Sequence, residues 1–517
     1  VQGFIEKSRK LRDLYGASLL LSYLSQKLVW HIQENKGLEV ISPGLPDVQK
    51  GMPNRILIRG NVNHEEAKEI LLNTWKEVLQ VCQTWLEKQL GPCHWEREWS
   101  LWGKHTWEVF RGGGDTIPEA MDDLEKCKLS RAWTAINWIG ESSSLTGTDA
   151  IAFPGLGAET RNPRYLTYGS EKEKIQESYT RLATKTEQDA EIPEGKFIAP
   201  NERLSIPELV KRLVTWYEIQ KEIQIPALGR GFTEIERRPE PTENIPGQWT
   251  GWFMGDGDRV GKHLKDLASR PNGDDEIKRF SLAMRNWGSK FEQSFPHNLG
   301  RIIYAGGDDF LGIIYSKDPN EPILPIEAYQ WLLTLKGKWE EHQQKITVSV
   351  GFVWVAGSVP QRDVLQHCRE AEKVAKSLGR DRVTIRVVFN SGQYVQWTCP
   401  WDYLDILQRY RDLDGNTFSK WENSGYNSTK RPNWSHIYQD LAQLESRWAF
   451  KNTLIQFPID FFDIYFPDQR KKLLDYEERK HIVGFSEEQG SSEEIQTTVE
   501  WISNLVKVGW QLCSDIK

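Results

Sequence analysis

The sequence predicts an α+β fold, with a strand–helix–hairpin–helix–strand region between a smaller α/β unit and a helical tail. Three observations carry this. Residues 247–395 alternate apolar strand runs with amphipathic helices in the order β-α-ββ-α-β, the split βαβ, ferredoxin-like arrangement. Residues 1–111 place short strand runs between two long helical patterns. Residues 396–517 carry helical periodicity almost throughout. A chain of 517 residues accommodates three or four domains at about 150 residues each.

The elements follow in order. From Val1 to about Ile32, Phe4, Leu11, Leu14, Tyr15, Leu21, Leu24 and Leu28 recur at helical spacing. A strand is expected at Leu38–Ile41, then a turn with Pro43, Gly44, Pro46 and Gly51, a strand Arg55–Arg59 closed by Gly60, and a helix from His64 to Lys88. Thr106–Phe110 reads as a further strand before Gly112–Gly114. Between 112 and 246 the pattern weakens. Gly140–Asp149 and Pro154–Glu159 read as loops, and Gly169–Glu194 is charge-rich and poor in core residues. The capping box Ser205-Ile206-Pro207-Glu208 opens a helix reaching about Ile223. This stretch reads as a helical connecting domain.

The next region is the most regular. It has a strand Trp249–Asp256, helices Val260–Ala268 and Asp274–Glu292, and a hairpin of Arg301–Ala305 with Phe310–Tyr315. A helix Ile326–His342, a strand Ile346–Val355, a helix Pro360–Leu378 and a strand Arg382–Phe389 complete it. In the tail, Ser491-x-x-Glu494 caps a helix whose Ile495, Val499, Ile502, Val506 and Trp510 share one face. That face must pack within its domain or on a small helical partner.

Composition excludes several classes. Lys and Arg number 66 against 73 Asp and Glu, a net charge of −7, and with a pI near 5.9 the chain is no polycation holding nucleic acid by bulk charge. A local basic groove stays open. Mean hydropathy of −0.59 fits a soluble protein. The apolar cluster Ala17–Leu24 is broken by Ser18, Ser22 and Tyr23, far short of the ~20 residues that span a bilayer. The sequence starts at Val1 with no signal peptide, so upstream residues are expected to be missing. Its six cysteines form no Cys-x-x-Cys pair, which fits a reducing, cytoplasmic compartment. Cys82, Cys93, His94 and His105 match no standard zinc spacing. None of the ten histidines is followed by Asp, so the His-Asp dipeptide of metal hydrolases is absent. The scattered tryptophans read as core and interface anchors.

Chemistry concentrates in two turns. The hairpin Arg301–Tyr315 carries Gly306-Gly307-Asp308-Asp309 at its tip. Glycines permit tight turns and close approach of a phosphate, and adjacent carboxylates suggest a divalent cation. Gly-Gly-Asp is also ordinary turn composition. The second element shifts the balance: Asp256-Gly257-Asp258-Arg259-Val260-Gly261 ends a strand and opens a helix. Asp256 then stands beside the hairpin, and the N–H groups of Arg259 to Gly261 form a helix start suited to phosphate. Acidic positions on neighbouring strands plus an anion-binding turn suit two-metal nucleotidyl transfer. Lys376, near the end of its helix, is placed to reach a triphosphate.

These motifs resemble those of the large palm-domain subunit of type III CRISPR effector complexes, of the subtype B kind. The matching stretches are Val1–Tyr15, Pro53-Asn54-Arg55, Asp256-Gly257-Asp258, Gly306–Asp309, Gly379–Val383 and Trp397–Trp401. The resemblance implies two ferredoxin-like palm domains, a connecting domain and a helical C-terminal domain, at 1–111 (a degenerate palm), 112–246, 247–395 and 396–517. It implies synthesis of cyclic oligoadenylate from ATP when target RNA pairs with guide RNA in the complex. It further implies that Asp256, Asp308 and Asp309 hold two Mg²⁺ or Mn²⁺ ions. Gly257, Arg259, Val260, Gly261, Gly306, Gly307 and Lys376 would face the triphosphate, and Ser349 the adenine. Two departures stand out. The family's N-terminal His-Asp nuclease domain is missing, and only Cys127 lies between Gly112 and Pro246, so no zinc is expected. Expected partners are the other complex subunits, including a small helical one, with guide and target RNA and no membrane. Two other readings stay open: a silent scaffold subunit and a free-standing cyclase of the diguanylate type.

Overall fold

The computed structural model describes residues 4–5, 7–44, 51, 53–131, 136–159, 161–162, 168–185, 198–225, 247–316, 318, 320–423, 431–451, 454–485 and 491–514. The predicted helix start at Val1–Gly3, Pro46 in the predicted turn, and the end of the connecting region (226–246) lie outside these residues. The chain divides into two compact units. One comprises Val1–Ile235 with Gly261–Ser289 and Ile303–Gly307, the other Glu236–Val260, Lys290–Ile302 and Asp308–Lys517.

The first unit contains α1 (Leu11–Lys36), a two-stranded antiparallel sheet of β1 (Glu39–Ser42) and β2 (Leu57–Arg59), and α2 (His64–Leu90). It continues through α3 (Glu96–His105), α4 (Ile117–Leu129), α5 (Tyr168–Ala183), α6 (Ile206–Leu213) and α7 (Tyr217–Ile223). Gly16 lets α1 and α6 touch backbone to backbone, since a Cβ there would lie 1.8 Å from the Lys211 carbonyl oxygen. One apolar core draws on Leu20, Trp75, Leu86, Phe153, Tyr179 and Leu209. Residues expected to form a first domain and a connecting domain thus share one interior.

Two expectations change here. Thr106–Phe110 is no strand: α3 runs to His105, and the Trp107 ring packs edge-on against Phe4 at 5.1 Å and Trp75 at 5.7 Å. Its apolar side chains serve aromatic packing rather than a ladder. The charge-rich run from Gly169, expected to be poor in core residues, holds α5, whose Ile175, Tyr179 and Leu182 are buried in the core. Helical spacing gathers these three onto one face, which the local excess of charge hides.

The second region begins with β3 (Thr250–Gly257), α8 (Val260–Ala268) and α9 (Gly273–Ser294). β4 (Gly300–Ala305), β5 (Asp309–Ile314), α10 (Pro325–Glu340), β6 (Val348–Val355), α11 (Gln361–Ser377), β7 (Arg382–Val388) and β8 (Tyr394–Pro400) follow. The sheet order is β4-β5-β3-β6-β7-β8. Its first four strands are the split βαβ arrangement predicted, with β3 central and antiparallel to both β5 and β6. β7 joins β6 in parallel, and β8 closes the edge antiparallel to β7. β8 is an addition to the predicted order. The Thr384 and Thr398 hydroxyls meet at 2.9 Å across the β7–β8 pair, and the Trp501 indole donates to the Thr398 carbonyl at 2.8 Å.

Reciprocal glycine–phenylalanine pairs knit β3 to β5: Gly255 lies opposite Phe310, and Gly312 opposite Phe253. A Cβ on Gly255 would come within 2.2 Å of the Phe310 ring, and one on Gly312 within 2.1 Å of the Phe253 ring. Each ring occupies space its partner's missing side chain leaves, an aromatic cover of strand glycine. On β6, Gly351 lets α11 close on the sheet, since a Cβ would sit 2.2 Å from the Cys368 carbonyl oxygen. This approach brings the C-terminal turns of α11 beside the end of β3.

After β8 a 3₁₀ helix (Trp401–Arg409) leads to α12 (Phe418–Asn423), α13 (Ser435–Ser446), α14 (Gln456–Tyr465), α15 (Arg470–Leu474), α16 (Tyr476–Val483) and α17 (Ser491–Cys513). Val499, Ile502 and Val506 of α17 are buried within the chain, and Ile495 and Trp510 are half-buried. No helix among the described residues is long and apolar enough to cross a membrane.

Candidate functional site

β3 delivers Asp256 to the carboxyl end of the sheet, in register with Asp309 on β5 and Ser349 on β6. Directly opposed strand positions share a sheet face, so two neighbouring strands each place a carboxylate there. The Gly257 N–H donates to the Asp308 carbonyl at 2.8 Å, tying the β3 end to the hairpin tip. A Cβ on Gly257 would lie 2.8 Å from Val260 Cγ2 and 3.1 Å from Asp308 Cβ. Only glycine lets the tip close this far. Gly307 stands in open space at φ 145°, so glycine is required there by backbone conformation and not by crowding.

Burial first, then the negative charge of Asp256, push the Asp308 carboxyl up to about 6. The Lys376 ammonium, from the last turn of α11, pairs with Asp256 Oδ2 and with Glu372 Oε1 at 2.6 Å. Burial works against its proton, but the hydrogen bonds to Asp256 and Glu372 outweigh it and raise Lys376 above its ordinary value. Glu372 is itself buried, and desolvation raises its carboxyl.

Beneath this group lies a fully bonded carboxylate. Asp258 is buried and accepts from Thr347 Oγ1 at 2.8 Å, Ser349 Oγ at 2.7 Å and the Asp381 N–H at 3.0 Å. Its own N–H donates to the Thr347 carbonyl at 2.8 Å. Asp258 thereby fixes the turn after Asp256.

The predicted site residues fall into three groups. Asp256, Asp308, Gly257 and Lys376 come together. Asp309 is exposed on its strand opposite Asp256, and Arg259 is exposed with left-handed backbone at φ 57°. Val260 packs beside Gly257; Gly261, in the first turn of α8, is exposed, and Gly306 is buried behind Gly307. Ser349, expected to face the adenine, is fully buried, and its hydroxyl donates to Asp258. The carboxylates of Asp256, Asp308 and Asp309 do not all stand within 4.8 Å of one another. Sequence reading missed Glu372, Thr347 and Asp381. Glu372 was visible as the i−4 neighbour of Lys376. Thr347 and Asp381 act through tertiary contacts that no local pattern announces.

Among the described residues one trio does meet that 4.8 Å spacing: Asp412, Asp414 and His436. There Asp412 takes N–H groups from Asn416 at 2.8 Å, Asn433 at 2.9 Å and the Asn416 side chain at 3.0 Å. Its oxygens staple a loop. Four cysteines (Cys82, Cys368, Cys399, Cys513) are buried free thiols, and Cys93 and Cys127 are half-buried.

Comparison with known proteins now bears on these features. Residues 250–384 match the family model of the Cas10/Cmr2 second palm domain, and residues 1–50 that of the CRISPR-associated protein Cmr2, N-terminal. No curated protein matches the chain. Among solved structures, the type III-B Cmr-beta complex in its apo state is similar at a TM-score of 0.55 and 11% identity, covering 98% of this chain and 80% of that one. The Csm1–Csm4 subcomplex of the type III-A CRISPR-Csm interference complex is similar at 0.45 and 14%, covering 99% and 68%. The Csm1–Csm4 cassette in complex with cA3 gives 0.44 and 12%, again covering 99% and 68%. The first of these shows the shared fold. Residues 250–384, which carry the acidic hairpin, therefore form a second palm domain of the Cas10/Cmr2 kind, and residues 1–50 an N-terminal segment of the Cmr2 kind.

Proposed function

We propose that the chain is the nucleotide-forming subunit of a type III CRISPR effector complex, joining ATP molecules into cyclic oligoadenylate when target RNA pairs with the guide. The observation that carries this reading is the placement of Asp256 at the end of β3, opposite Asp309 and tied to Asp308 through the Gly257 N–H, inside a Cas10/Cmr2 palm domain. Two carboxylates that repel one another and offer hard oxygen donors fit a divalent cation. Asp256, Asp308 and Asp309 would hold Mg²⁺ or Mn²⁺. Such ions, when bound, supply the positive charge that activates an attacking 3′-hydroxyl and steadies a leaving pyrophosphate.

The remaining residues have roles that follow from their positions. Gly257 and Gly307 keep the two turns free of side chains, so triphosphate oxygens can approach backbone N–H groups. Lys376 keeps its proton firmly and exchanges Asp256 for phosphate oxygen as nucleotide arrives, with Glu372 retaining its hold. Asp258 stays out of the reaction and holds the turn. The net charge of −7 gives no general attraction for RNA, so the trigger reaches this chain through neighbouring subunits or a local groove.

The test is mass spectrometry of nucleotides made by the assembled complex from ATP and Mg²⁺, with and without matching target RNA. Cyclic adenosine oligomers that need the RNA, and vanish when Asp308 and Asp309 are both changed to Ala in a complex that still assembles, support the reading. Target RNA bound with no nucleotide product would leave the silent scaffold. Equal product from the lone chain would favour the free-standing cyclase.

A further inference from the structure

The turn after α11 is, among the described residues, the one run of three successive left-handed residues: Gly379 at φ 127°, Arg380 at 67° and Asp381 at 49°. Glycine takes this backbone freely, but each of the other two is disfavoured by roughly 1–2 kcal/mol and persists only where its surroundings impose it. The surroundings are visible on both sides.

On the inner side, the Asp381 N–H points at Asp258 Oδ2, 3.0 Å away, and the Asp381 carboxylate takes the Lys336 ammonium at 2.6 Å. On the outer side, the buried Arg382 donates to the carbonyls of Ile482, at 3.1 Å, and His481. These carbonyls belong to the last turn of α16, where a helix leaves acceptors unused. Gly484, at φ 84°, ends that helix so close to the turn that a Cβ would lie 2.6 Å from the Leu378 carbonyl oxygen and 3.2 Å from Arg382 Cζ. The end of a C-terminal-domain helix is therefore seated on the back of a strained turn whose front holds the aspartate beneath the acidic site.

We propose that Arg382 is a positioning residue for the acidic site. Capping α16, it holds Gly379–Asp381 in the left-handed form that delivers the Asp381 N–H to Asp258. Asp258 in turn sets the end of β3 that carries Asp256. Whatever moves α16 changes the hydrogen bonds of Asp258 and, through it, the aim of Asp256. The C-terminal domain gains a physical route to the site without touching substrate.

The experiment is hydrogen–deuterium exchange on the assembled complex carrying Gly484→Ala, and separately Arg382→Lys. The first wedges a methyl between α16 and the turn. The second keeps the charge and one donor, so the fold is retained. Expected in both is faster exchange, by about tenfold, at Asp381 and at residues 257–258, with the rest of the sheet unchanged. A companion readout, which rests on the synthase reading, is a fall in kcat with little change in KM for ATP. Exchange that rises only in 476–514, with 255–260 and 378–382 as in the unaltered complex, would overturn the proposal. That is what a purely structural Arg382 would give. Because exchange needs no product, a complex that makes no oligoadenylate but shows the expected pattern sinks the synthase reading and leaves Arg382 in its role.

Discussion

Lys376 is gripped from two elements at once, by Asp256 at the end of β3 and by Glu372 one helical turn back on α11. An ammonium in that place neutralises the carboxylate that a divalent cation would use. A divalent cation at Asp256 would therefore have to displace Lys376 when no nucleotide is present.

Removing the competitor should tighten the metal. In Lys376→Met, Mn²⁺ binding to the nucleotide-free protein, followed by calorimetry, is expected to strengthen by about threefold to tenfold, the worth of a half-exposed ion pair. Oligoadenylate synthesis should fall in the same variant, because the phosphates lose their cation. Weaker Mn²⁺ binding in Lys376→Met would show that Lys376 supports the metal instead of displacing it.

Asp308 makes a prediction with a definite sign. Its folded carboxyl titrates at about 6 against an ordinary 3.8, so between those values the native state keeps a proton that the unfolded chain has lost. Stability from this group is full below pH 4 and is lost as pH rises through 6. Asp308→Asn should therefore stabilise the metal-free protein at pH 7.5, by up to about 3 kcal/mol, and change little at pH 4. Divalent cations compete with the same proton, so metal affinity of the unaltered chain should climb as pH passes 6. Thermal melts in chelator at both pH values check the first claim; a gain of equal size at pH 4 would contradict it.

How far the sequence reaches is clear from particular residues. The strand and hairpin carrying Asp256 and Asp308 were legible because short, continuous apolar runs end in glycine and aspartate. Val499, Ile502 and Val506 likewise announced a buried helix face. β8 was missed as part of the sheet because Tyr394–Pro400 pairs with β7 only once the sheet exists. Thr106–Phe110 misled because its apolar spacing serves rings packed across the first unit. That Ser349 meets Asp258 was not legible, since which hydroxyl meets which carboxylate is decided by strand register. The bonds that Asp258 accepts from Thr347, Ser349 and Asp381 join it to residues about 90 to 120 positions away, which no local pattern announces.

The glycine–phenylalanine lock between β3 and β5 should be sensitive to one methyl. Gly255→Ala sets a Cβ 2.2 Å from a Phe310 ring that Phe291 and Trp339 hold at centroid distances of 5.5 and 6.0 Å. Overpacking of this kind costs about 1–3 kcal/mol. Combining Gly255→Ala with Phe310→Leu should cost less than the sum of the two single changes. Denaturant unfolding of all three variants measures the coupling, and strict additivity would mean that the two positions do not share space.

The first unit is pinned by a buried charge cluster, and it yields the last prediction. Arg212 donates to both oxygens of Asp13, at 2.9 and 3.0 Å, and to both of Glu202, at 2.8 and 3.2 Å, with all three side chains buried. Burial pushes the Asp13 carboxyl up, but the Arg212 guanidinium prevails and holds it near 2. A depressed carboxyl contributes stability above its unfolded value, near 4, and loses it as pH falls toward 2. Replacing Arg212 by Met leaves buried Asp13 to the Arg9 and Lys10 N–H groups and buried Glu202 to Lys10 at 3.0 Å and the Ala199 N–H, which costs about 3–5 kcal/mol near neutral pH. The two carboxylates must then take up protons to stay buried, so the penalty shrinks on acidification, and the variant should approach the unaltered chain near pH 4. Strands β3 and β5 to β8 of the palm sheet belong to the other unit, so their hydrogen-exchange protection should persist while that of α1 and α6 collapses. Unfolding curves at pH 7 and pH 4 with exchange on the same samples decide the matter. A uniform loss of protection across both units, or a penalty that grows in acid, would show that the cluster does not stabilise the first unit in this way.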